Sequence, residues 1–594
     1  MDKRIAKYLM QVEKPARYIG GEYNLPNMDK PCKCKFCLCF VDIYEVGMSN
    51  VGINILYDIL NTDKDIVCER CFAPWPDMGD ILRKNKIPLG SLETGTELRN
   101  FDIVGFSIPY ELSYTNVLYM MDLANIPFRA KDRDESYPII IGGGPASANP
   151  EPFIDFFDAF FIGEGEETDL EFCKLNIKYK GNKKKILEEA SKINGIYVPS
   201  LCNVVAGINT TKVVKSIVKD LDKMQFPRKP LVPNMEIVHD RGVLELYRGC
   251  YAGCRFCQAC FFYRPIRYRE SDTLIGIFQD IVKNSGYDEV SLSSLSTGDY
   301  ENVVSLIENM NELATKENVA LQMPSMRLDS FTKKLLTNAR INSLTFAPEA
   351  GTQRLRNVIN KNITDEDIDT SMKIAFELGY RTIKLYFMLG LPTETDEDVL
   401  AIVDIVKKIR KIYSETTKRK DLFINVSTAM FIPKPATPFQ WVEQISEAEM
   451  YRKQDMLKKE LFYIKGVHYS WHGAGSSVLE GIFARGDRSL SYAIERAYNL
   501  GCYFDSWSEY FKLDLWNQAL SECNVDTQKF TGLHDIDKPT PWDFIDFGVT
   551  KEYLIKEYKK ALIGEVTPPC KYKCNGCGAN KLGACRMFEG EENK

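Results

Sequence analysis

Short apolar runs alternate with amphipathic segments over the first 170 or so residues of the chain. The run KCKFCLCFVD ends at Asp42 and is typical of a buried strand, and a polar residue after it can cap an amphipathic helix. Residues 102–107, 138–144 and 157–165 repeat the strand pattern, and each run ends in glycine or a small polar residue. This alternation predicts a parallel sheet covered by helices, with ligands beyond the carboxyl ends of its strands.

The pattern resumes after a lysine-rich and then proline-punctuated stretch, which we interpret as a connector. Six strands with helical segments between them are predicted at residues 243–247, 289–293, 320–323, 343–347, 383–388 and 424–428. Repeated units of this kind indicate a full or partial barrel with its chemistry at the carboxyl ends of the strands. Residues 450–560 look mostly helical, and the final cysteine-rich segment is too short for a hydrophobic core and would need a metal to order it.

The predicted fold class is therefore α/β, with three architectures along one chain. A flavodoxin-like parallel-sheet domain is followed by a partial (β/α)6 TIM-type barrel and by a helical C-terminal region with a Cys-rich tail. The expected divisions are residues 1–175 for the first domain, 176–234 for the connector, 235–445 for the barrel, 446–566 for the helical region and 567–594 for the tail.

Composition narrows the kinds of site that this fold can carry. A net charge of -6 argues against a large phosphate-binding surface, and neither a signal peptide nor a membrane span is expected, so we predict a cytoplasmic protein. Eighteen cysteines in such a protein indicate metal ligands or reactive thiols rather than disulfides. With only four histidines, thiolate ligation of iron-sulfur clusters or zinc is favoured over a site with several imidazoles.

One cysteine spacing, Cys-x3-Cys-x2-Cys, occurs twice. The first copy directly follows the first predicted barrel strand and consists of Cys250, Cys254 and Cys257. Three thiolates bind three irons of a four-iron cluster and leave the fourth iron open to a substrate, which requires a cavity such as a barrel mouth. A structural zinc knuckle is the alternative for this copy.

The second copy lies near the end of the chain and looks closed. It consists of Cys570, Cys574 and Cys577, with Cys585 as a candidate fourth ligand. Four thiolates suit either zinc or an auxiliary iron-sulfur cluster, and the spacing does not choose between them. Cys260, three residues after the first copy, is interpreted as a packed small side chain, with a spare ligand or redox partner as the alternative.

In its motifs the region from about Val243 to Trp441 resembles a radical S-adenosylmethionine (SAM) domain, in which an aromatic residue, here Phe256, precedes the third cysteine. The resemblance implies that the open iron binds SAM and that one electron, from a reductant such as flavodoxin or ferredoxin, cleaves it to a 5'-deoxyadenosyl radical. Later motifs match the cofactor-contacting strand ends of that family and implicate Ser294, Ser296, Thr297, Glu349 and Gly390. The segment with the three hydroxyl residues lacks the usual glycines.

The N-terminal part resembles the cobalamin-binding domains that precede some radical SAM domains. The matching positions are Asp42, Tyr44 and Gly47 in the first loop, Ser107 in the second, and Gly142 and Gly143 in the third. Tyr44 stands where such domains carry a histidine, so no imidazole from this position can bind cobalt. Cobalamin is therefore expected without a histidine ligand from this loop.

Three functional hypotheses follow. The first is transfer of a methyl or methylthio group to a macromolecule, RNA or protein; a cobalamin-like domain suits methyl transfer, and a second cluster suits methylthio transfer. Methylthiotransferases carry their second cluster in an N-terminal domain that nothing here resembles, so methyl transfer is favoured. The second hypothesis is radical rearrangement or dehydrogenation without bound cobalamin. The third is an iron-sulfur sensor or assembly protein.

Overall fold

The computed structural model describes residues 2–205, 208–323 and 344–585. The N-terminal sheet has six strands in the spatial order Ile66–Phe72, Cys34–Phe40, Ile103–Ser107, Ile139–Gly143, Ala159–Phe161 and Ile196–Tyr197. All neighbours are parallel except the last pair. The first five strands thus follow the order 2-1-3-4-5 of one class of doubly wound sheets.

Helices cover both faces of this sheet, which explains its nearly continuous apolar strands. The helices of the first 200 residues are Tyr44–Met48, Val51–Thr62, Pro76–Asn85, Tyr114–Leu123, Glu166–Lys178 and Lys183–Ala190. The Asn50 side chain caps the second helix by accepting a hydrogen bond from the Ile53 amide at 3.1 Å. Cys37 and Cys39 pack on one face of the sheet and Phe36 and Leu38 on the other, as strand alternation requires.

The second half of the chain forms two further parallel sheets. The first contains Gly242–Glu245, Glu289–Ser293 and Ala320–Gln322; the second contains Leu344–Glu349, Thr382–Leu389, Phe423–Met430 and Val467–Trp471. The helices are Gln258–Phe262, Ser271–Ser285, Val303–Lys316, Gln353–Val358, Asp365–Glu377, Asp396–Thr417 and Glu447–Phe462. The prediction of a mixed α/β chain with parallel sheets is confirmed. Residue 343, the start of one predicted strand, lies outside the described residues.

The strand Val467–Trp471 falls in the region predicted as mostly helical. The remaining helices there are Ala474–Ala484, Leu490–Leu500, Leu513–Glu522, Gln528–Thr531 and Lys551–Leu562. Apolar side chains of residues 479–547 join the core on one face of the N-terminal sheet, so these helices pack on that domain. The connector is structured too, because its strand Val213–Val214 pairs with Ile545–Asp546. In the described residues no helix is both long and apolar enough to cross a membrane.

Candidate functional site

The loop with Cys250, Cys254 and Cys257 begins just after the short strand Tyr247–Arg248. Gly249 and Gly253 adopt positive φ angles of 93° and 74°, which fold the loop tightly around its sulfur atoms. The Cys250 and Cys254 residues are only 9% and 5% exposed. The loop therefore presents thiols inside the protein, where a cluster would be shielded from water.

Cys260 belongs to the same group of sulfur atoms. Its Sγ accepts a hydrogen bond from the Gly253 amide at 3.0 Å. The neighbouring Cys250 thiol lowers the pKa of Cys260 to about 6, with help from the Arg264 guanidinium and against the effect of burial. Burial, with nearby Cys260 and Cys254, raises the pKa of Cys257 to about 12. Cys260 is packed in the apolar cluster as the sequence predicts, and the helix Gln258–Phe262 also turns its sulfur back onto the loop.

The segment RNVINKN, residues 356–362 after the strand Leu344–Glu349, holds the cysteine loop in place. The side-chain amide of Asn360 donates to the Gly253 carbonyl at 3.1 Å, and that of Asn362 donates to the Ala252 carbonyl at 3.3 Å. The Arg255 amide donates to the Ile359 carbonyl at 3.0 Å. These bonds fix the backbone between the three cysteines and explain why this motif accompanies the loop.

Glu349 lies next to this segment in a strained conformation. Its φ angle is +68°, and the strand pairing shifts register just before it. The Glu349 carboxylate forms an ion pair with Lys361 at 3.2 Å, and the Lys361 ammonium lies 5.8 Å from the centre of the Phe256 ring. Backbone strain of this kind is concentrated at functional sites. The structure thus links two sequence-predicted positions, Glu349 and Phe256, through Lys361.

The hydroxyl segment follows the strand Glu289–Ser293. The Ser294 and Thr297 hydroxyls are 3.1 Å apart, and the buried Ser296 hydroxyl has no hydrogen-bond partner in the described part of the chain. Tyr247, three residues before Cys250, donates a hydrogen bond to the Ser296 carbonyl. The segment is therefore attached to the start of the cysteine loop and offers an unused hydroxyl.

Gly390 occupies a turn after the strand Thr382–Leu389. Its φ angle is +85°, and a Cβ atom there would lie 2.7 Å from the Ile445 side chain. Its amide donates to the Glu394 carboxylate at 2.9 Å. The local packing is sufficient to require glycine at this position.

A cavity of about 490 Å³ joins the N-terminal sheet to the second half of the chain. Residues at the carboxyl ends of two N-terminal strands line one side of it, namely Ser107, Gly142 and Gly143. Tyr247, Arg248, Gly249 and Ser294 line the other side. Since Gly249 directly precedes Cys250, the cavity reaches the beginning of the cysteine loop. Its volume falls within the range of about 300–1,000 Å³ typical of small-molecule sites.

Charged residues form one wall of this cavity. Arg248 makes ion pairs with Glu166 at 2.6 Å, Glu245 at 2.9 Å and Glu164 at 3.4 Å, which ties the N-terminal sheet to the cysteine loop. Burial opposes the charge of Glu164, but Arg267 and Arg248 outweigh it and keep the pKa of Glu164 below its usual value. Burial, together with the charge of Glu166, raises the pKa of Asp169 to about 8. Asp169 is therefore mostly protonated at neutral pH.

The first predicted cobalamin-contacting loop lies away from this cavity. The Asp42 carboxylate accepts a hydrogen bond from the Trp507 indole at 3.0 Å, and the Tyr44 hydroxyl donates to Glu22 at 3.1 Å. A Cβ atom on Gly47 would lie 2.3 Å from the Phe72 ring. None of the three residues lines the cavity. The structure thus assigns packing and hydrogen-bonding roles to these positions, whereas the second and third predicted loops do reach the cavity.

The second cysteine group lies beside the first, although more than 300 residues separate them in sequence. The Cys570 amide donates to the Tyr251 carbonyl at 2.9 Å, and Cys577 packs in the apolar cluster that contains Cys250 and Cys254. Cys574 and Cys585 are partly buried. Within the described residues, no three side chains of Cys, His, Asp or Glu are arranged to hold a single metal ion. No pattern in the sequence indicates this proximity.

Comparison with known families identifies the class of protein. The profile described as "Radical SAM superfamily" matches residues 244–406, and that described as "Radical SAM proteins, N-terminal" matches residues 52–199. An uncharacterized protein of Methanocaldococcus jannaschii is 30% identical over 423 residues, which cover 69% of this chain and 83% of that relative. The chain belongs to the radical SAM superfamily and is an enzyme.

Other relatives are more distant. An uncharacterized methyltransferase of Pyrococcus horikoshii is 23% identical over 53% of this chain and 66% of the relative. A tRNA-2-methylthio-N(6)-dimethylallyladenosine synthase of Clostridium beijerinckii is 21% identical over 40% of this chain and 55% of the relative. Among solved structures, the cobalamin-dependent SAM radical enzyme OxsB is 15% identical with a TM-score of 0.49, over 94% of this chain and 84% of that one. The radical SAM methyltransferase TsrM of Kitasatospora setae is 13% identical with a TM-score of 0.44, over 68% and 74%.

Membership of the superfamily implies a four-iron four-sulfur cluster and SAM as cofactors. The first cysteine loop fits this pair of cofactors. It supplies three thiols in a buried loop, an adjoining cavity, and the free Ser296 hydroxyl close by.

Proposed function

We propose that this radical SAM enzyme transfers a methyl group to a macromolecule, RNA or protein, and holds a corrinoid in the cavity between its N-terminal sheet and the Cys250 loop. The single observation that carries the proposal is the position of this cavity. Glycines and a serine at the sheet's carboxyl ends, Ser107, Gly142 and Gly143, face residues that directly precede Cys250. A carrier in this place would lie next to the SAM site, as a relay of methyl groups requires.

The residues of the chain have distinct roles in this proposal. Cys250, Cys254 and Cys257 hold the cluster, which together with SAM supplies the radical chemistry when bound. Ser294 lines the cavity and the buried Ser296 hydroxyl lies in the same segment, so this segment offers hydroxyls to polar groups of SAM. Glu349, held by Lys361, positions a negative charge beside the loop.

The proposal also specifies how the corrinoid is held. Tyr44, at the position of the cobalamin-binding histidine, is bonded to Glu22 in the core and does not line the cavity. We therefore expect a corrinoid without a histidine ligand. The small cavity-facing residues Gly142 and Gly143 leave room for a flat ring against the strand ends.

Anaerobic purification with added hydroxocobalamin tests this proposal. Optical and electron paramagnetic resonance (EPR) spectra should show one corrinoid per chain without nitrogen coupling from histidine. If the protein retains no corrinoid, methyl transfer through a corrinoid is wrong, and radical chemistry without group transfer takes its place. If nitrogen coupling appears, a distant histidine such as His239 binds the cobalt, and the proposed binding mode is wrong.

Methylthio transfer is the second candidate, and one observation favours it. The hydrogen bond from the Cys570 amide to the Tyr251 carbonyl puts the C-terminal cysteines beside the first loop, where a second cluster could take part in sulfur transfer. Mass spectrometry of the product distinguishes the two candidates, because a methylthio group adds sulfur and a methyl group does not.

We also propose how the sheets and domains are arranged and which electron donor serves the cluster. The sheets of residues 242–322 and 344–471 would form one partial barrel, and the chain would divide near residues 175, 234, 445 and 566. A one-electron reductant such as flavodoxin or ferredoxin would serve the cluster in the cytoplasm. Spectroscopic reduction of the purified protein by each candidate reductant tests this part.

A further inference from the structure

The buried guanidinium of Arg264 lies beside the first cysteine loop. The residue is 3% exposed, and none of its three guanidinium nitrogens has a hydrogen-bond partner in the described residues. The guanidinium lies 5.1 Å from the centre of the Phe261 ring and 5.9 Å from that of Tyr553.

Burying such a group without an anion is strongly unfavourable, because a guanidinium stays protonated in proteins and loses its water shell. Arg255 is an equally buried arginine nearby, and its hydrogen bonds show how this protein compensates the burial of a guanidinium. It donates five hydrogen bonds, to the Glu557 carboxylate and to the carbonyls of Asn357, Val358 and Glu565. Arg264 has no comparable set, which points to an anionic group that binds beside it.

The nearest candidates for this anion are sulfur atoms from both cysteine loops. The rings that the guanidinium faces, Phe261 and Tyr553, belong to the apolar cluster that contains Cys250, Cys254 and Cys260, and Cys577 packs against the same cluster. One Arg264 nitrogen, Nη2, lies 3.8 Å from the place that a Gly253 Cβ atom would occupy. The guanidinium therefore lies between the first cysteine loop and the C-terminal cysteines.

The C-terminal group is built onto the first loop by a second set of contacts. Glu557, in the helix Lys551–Leu562, accepts hydrogen bonds from Arg255 and from the Thr567 hydroxyl at 2.9 Å. The Thr567 amide donates to the Asn360 side chain at 2.8 Å, and Asn360 in turn holds Gly253. These buried hydrogen bonds hold Thr567 against the first loop, just before Cys570.

We infer that Cys570, Cys574 and Cys577 hold a second iron-sulfur cluster against the Cys250 loop, and that Arg264 is the buried cation that offsets the negative charge of the thiolates in both loops. The inference does not depend on methyl transfer or on a corrinoid. Since a nearby positive charge favours the more negative, reduced form of a cluster, Arg264 would also raise the reduction potential.

Metal analysis tests the cluster itself. The full-length protein, reconstituted under anaerobic conditions, should contain about eight irons per chain, and a variant with Cys570, Cys574 and Cys577 changed to Ala should contain about four. One zinc in place of four irons would overturn the assignment of a cluster. Unchanged metal content in the variant would show that the C-terminal cysteines are not ligands. Either result leaves the corrinoid proposal untouched.

The role of Arg264 is tested by Arg264→Met, with Arg264→Lys as the charge-retaining variant. In the reconstituted protein, Arg264→Met should lower the ratio of reduced to oxidised cluster at least tenfold at a fixed potential. This is a shift of about 59 mV for a one-electron couple, read by EPR-monitored redox titration. Arg264→Lys should restore most of the shift. An unchanged potential in Arg264→Met would overturn the proposed role.

Stability after iron removal provides an independent readout, with Arg255→Met as the matched control. Without clusters the Arg264 guanidinium stays buried without a hydrogen bond from the described residues, so Arg264→Met should leave the iron-free protein as stable as the wild type or more stable in urea. Arg255→Met should destabilise it, because that substitution leaves Glu557 unpaired. If Arg264→Met destabilises the iron-free protein as Arg255→Met does, Arg264 is a structural residue and the inference is wrong.

Discussion

The two cysteine loops share the spacing Cys-x3-Cys-x2-Cys but differ in their surroundings. The first loop is buried, follows a strand, and has its carbonyls held by Asn360 and Asn362. The second loop is partly exposed and depends on hydrogen bonds such as the one from the Thr550 amide to the Cys577 carbonyl. In our proposal the shared spacing makes both loops cluster ligands, and their different surroundings decide whether the bound cluster meets a substrate.

The strongest test of this difference is to remove the first set of ligands. Changing Cys250, Cys254 and Cys257 together to Ala should abolish formation of 5'-deoxyadenosine, because no open iron would remain beside the cavity. Anaerobic assay by liquid chromatography measures the product. Persistent 5'-deoxyadenosine would mean that the active loop has been misassigned.

Removing the second set should have a different effect. With Cys570, Cys574 and Cys577 changed to Ala, we expect the loss of about four irons per chain while SAM cleavage persists, since the open iron belongs to the other loop. Iron analysis and the same cleavage assay on one preparation measure both quantities. Complete loss of cleavage in a folded variant would contradict the division of roles.

A larger side chain in the cavity tests the difference between the two loops, because of the two only the first loop adjoins the cavity. A Cβ atom on Gly143 would make ordinary contact, at 3.6 Å from the Phe161 carbonyl oxygen, so the position tolerates a side chain. Gly143→Leu should weaken corrinoid binding at least tenfold, or by about 1.4 kcal/mol, and Gly143→Ala should have a much smaller effect. Spectroscopic titration measures both. Equal affinities in the Leu variant and the wild type would place the corrinoid elsewhere.

The link between the loops can be loosened at Glu557. Glu557→Gln removes the charge partner of the buried Arg255, and breaking such a pair costs about 3–5 kcal/mol of unfolding free energy. Glu565→Gln is the control, because its ion pair with Lys560 is exposed and contributes about 0–1 kcal/mol. Urea unfolding measures both values. If Glu557→Gln and Glu565→Gln lowered the free energy of unfolding by similarly small amounts, Glu557 would not hold the tail to the first loop.

The last expected effect concerns the cavity wall and is spread over several pH units. The pKa of Asp169 rises from 3.8 to about 8 on folding, so the folded protein binds an extra proton between these values and loses stability as pH rises through them. Asp169→Asn should remove a part of this loss, up to about 1.4 kcal/mol per pH unit. Urea unfolding at pH values across this range measures the pH dependence of the unfolding free energy. Glu167→Gln, at an exposed position, is the control. An unchanged pH dependence would mean that Asp169 is ionised.

The sequence predicted local features of the fold better than contacts between distant segments. The strand Glu289–Ser293 has the predicted bounds, because polar and apolar residues alternate clearly along it. The strand Val467–Trp471 was missed because it is partly exposed at the edge of its sheet and reads as polar. Motif spacing indicated the first cysteine loop. It could not indicate that Cys570 bonds to Tyr251, since that contact depends on how the C-terminal helix docks.

Motif matching was also insufficient for the first N-terminal loop. The sequence places Tyr44 where a cobalamin ligand would stand, but its ring packs against Phe72 and its hydroxyl bonds to Glu22. The loops at Ser107 and Gly143 were easier to predict, because small residues at strand ends lie at a ligand-binding edge in any doubly wound sheet.

The most direct test of the division of roles is the response of each reduced cluster to SAM. EPR spectra should be recorded with and without SAM for two variants, one with only the Cys250 loop intact and one with only the Cys570 loop intact. We expect SAM to change the g values when the Cys250 loop is intact and to leave them unchanged when it is not. A SAM-dependent change confined to the Cys570 loop would contradict the account.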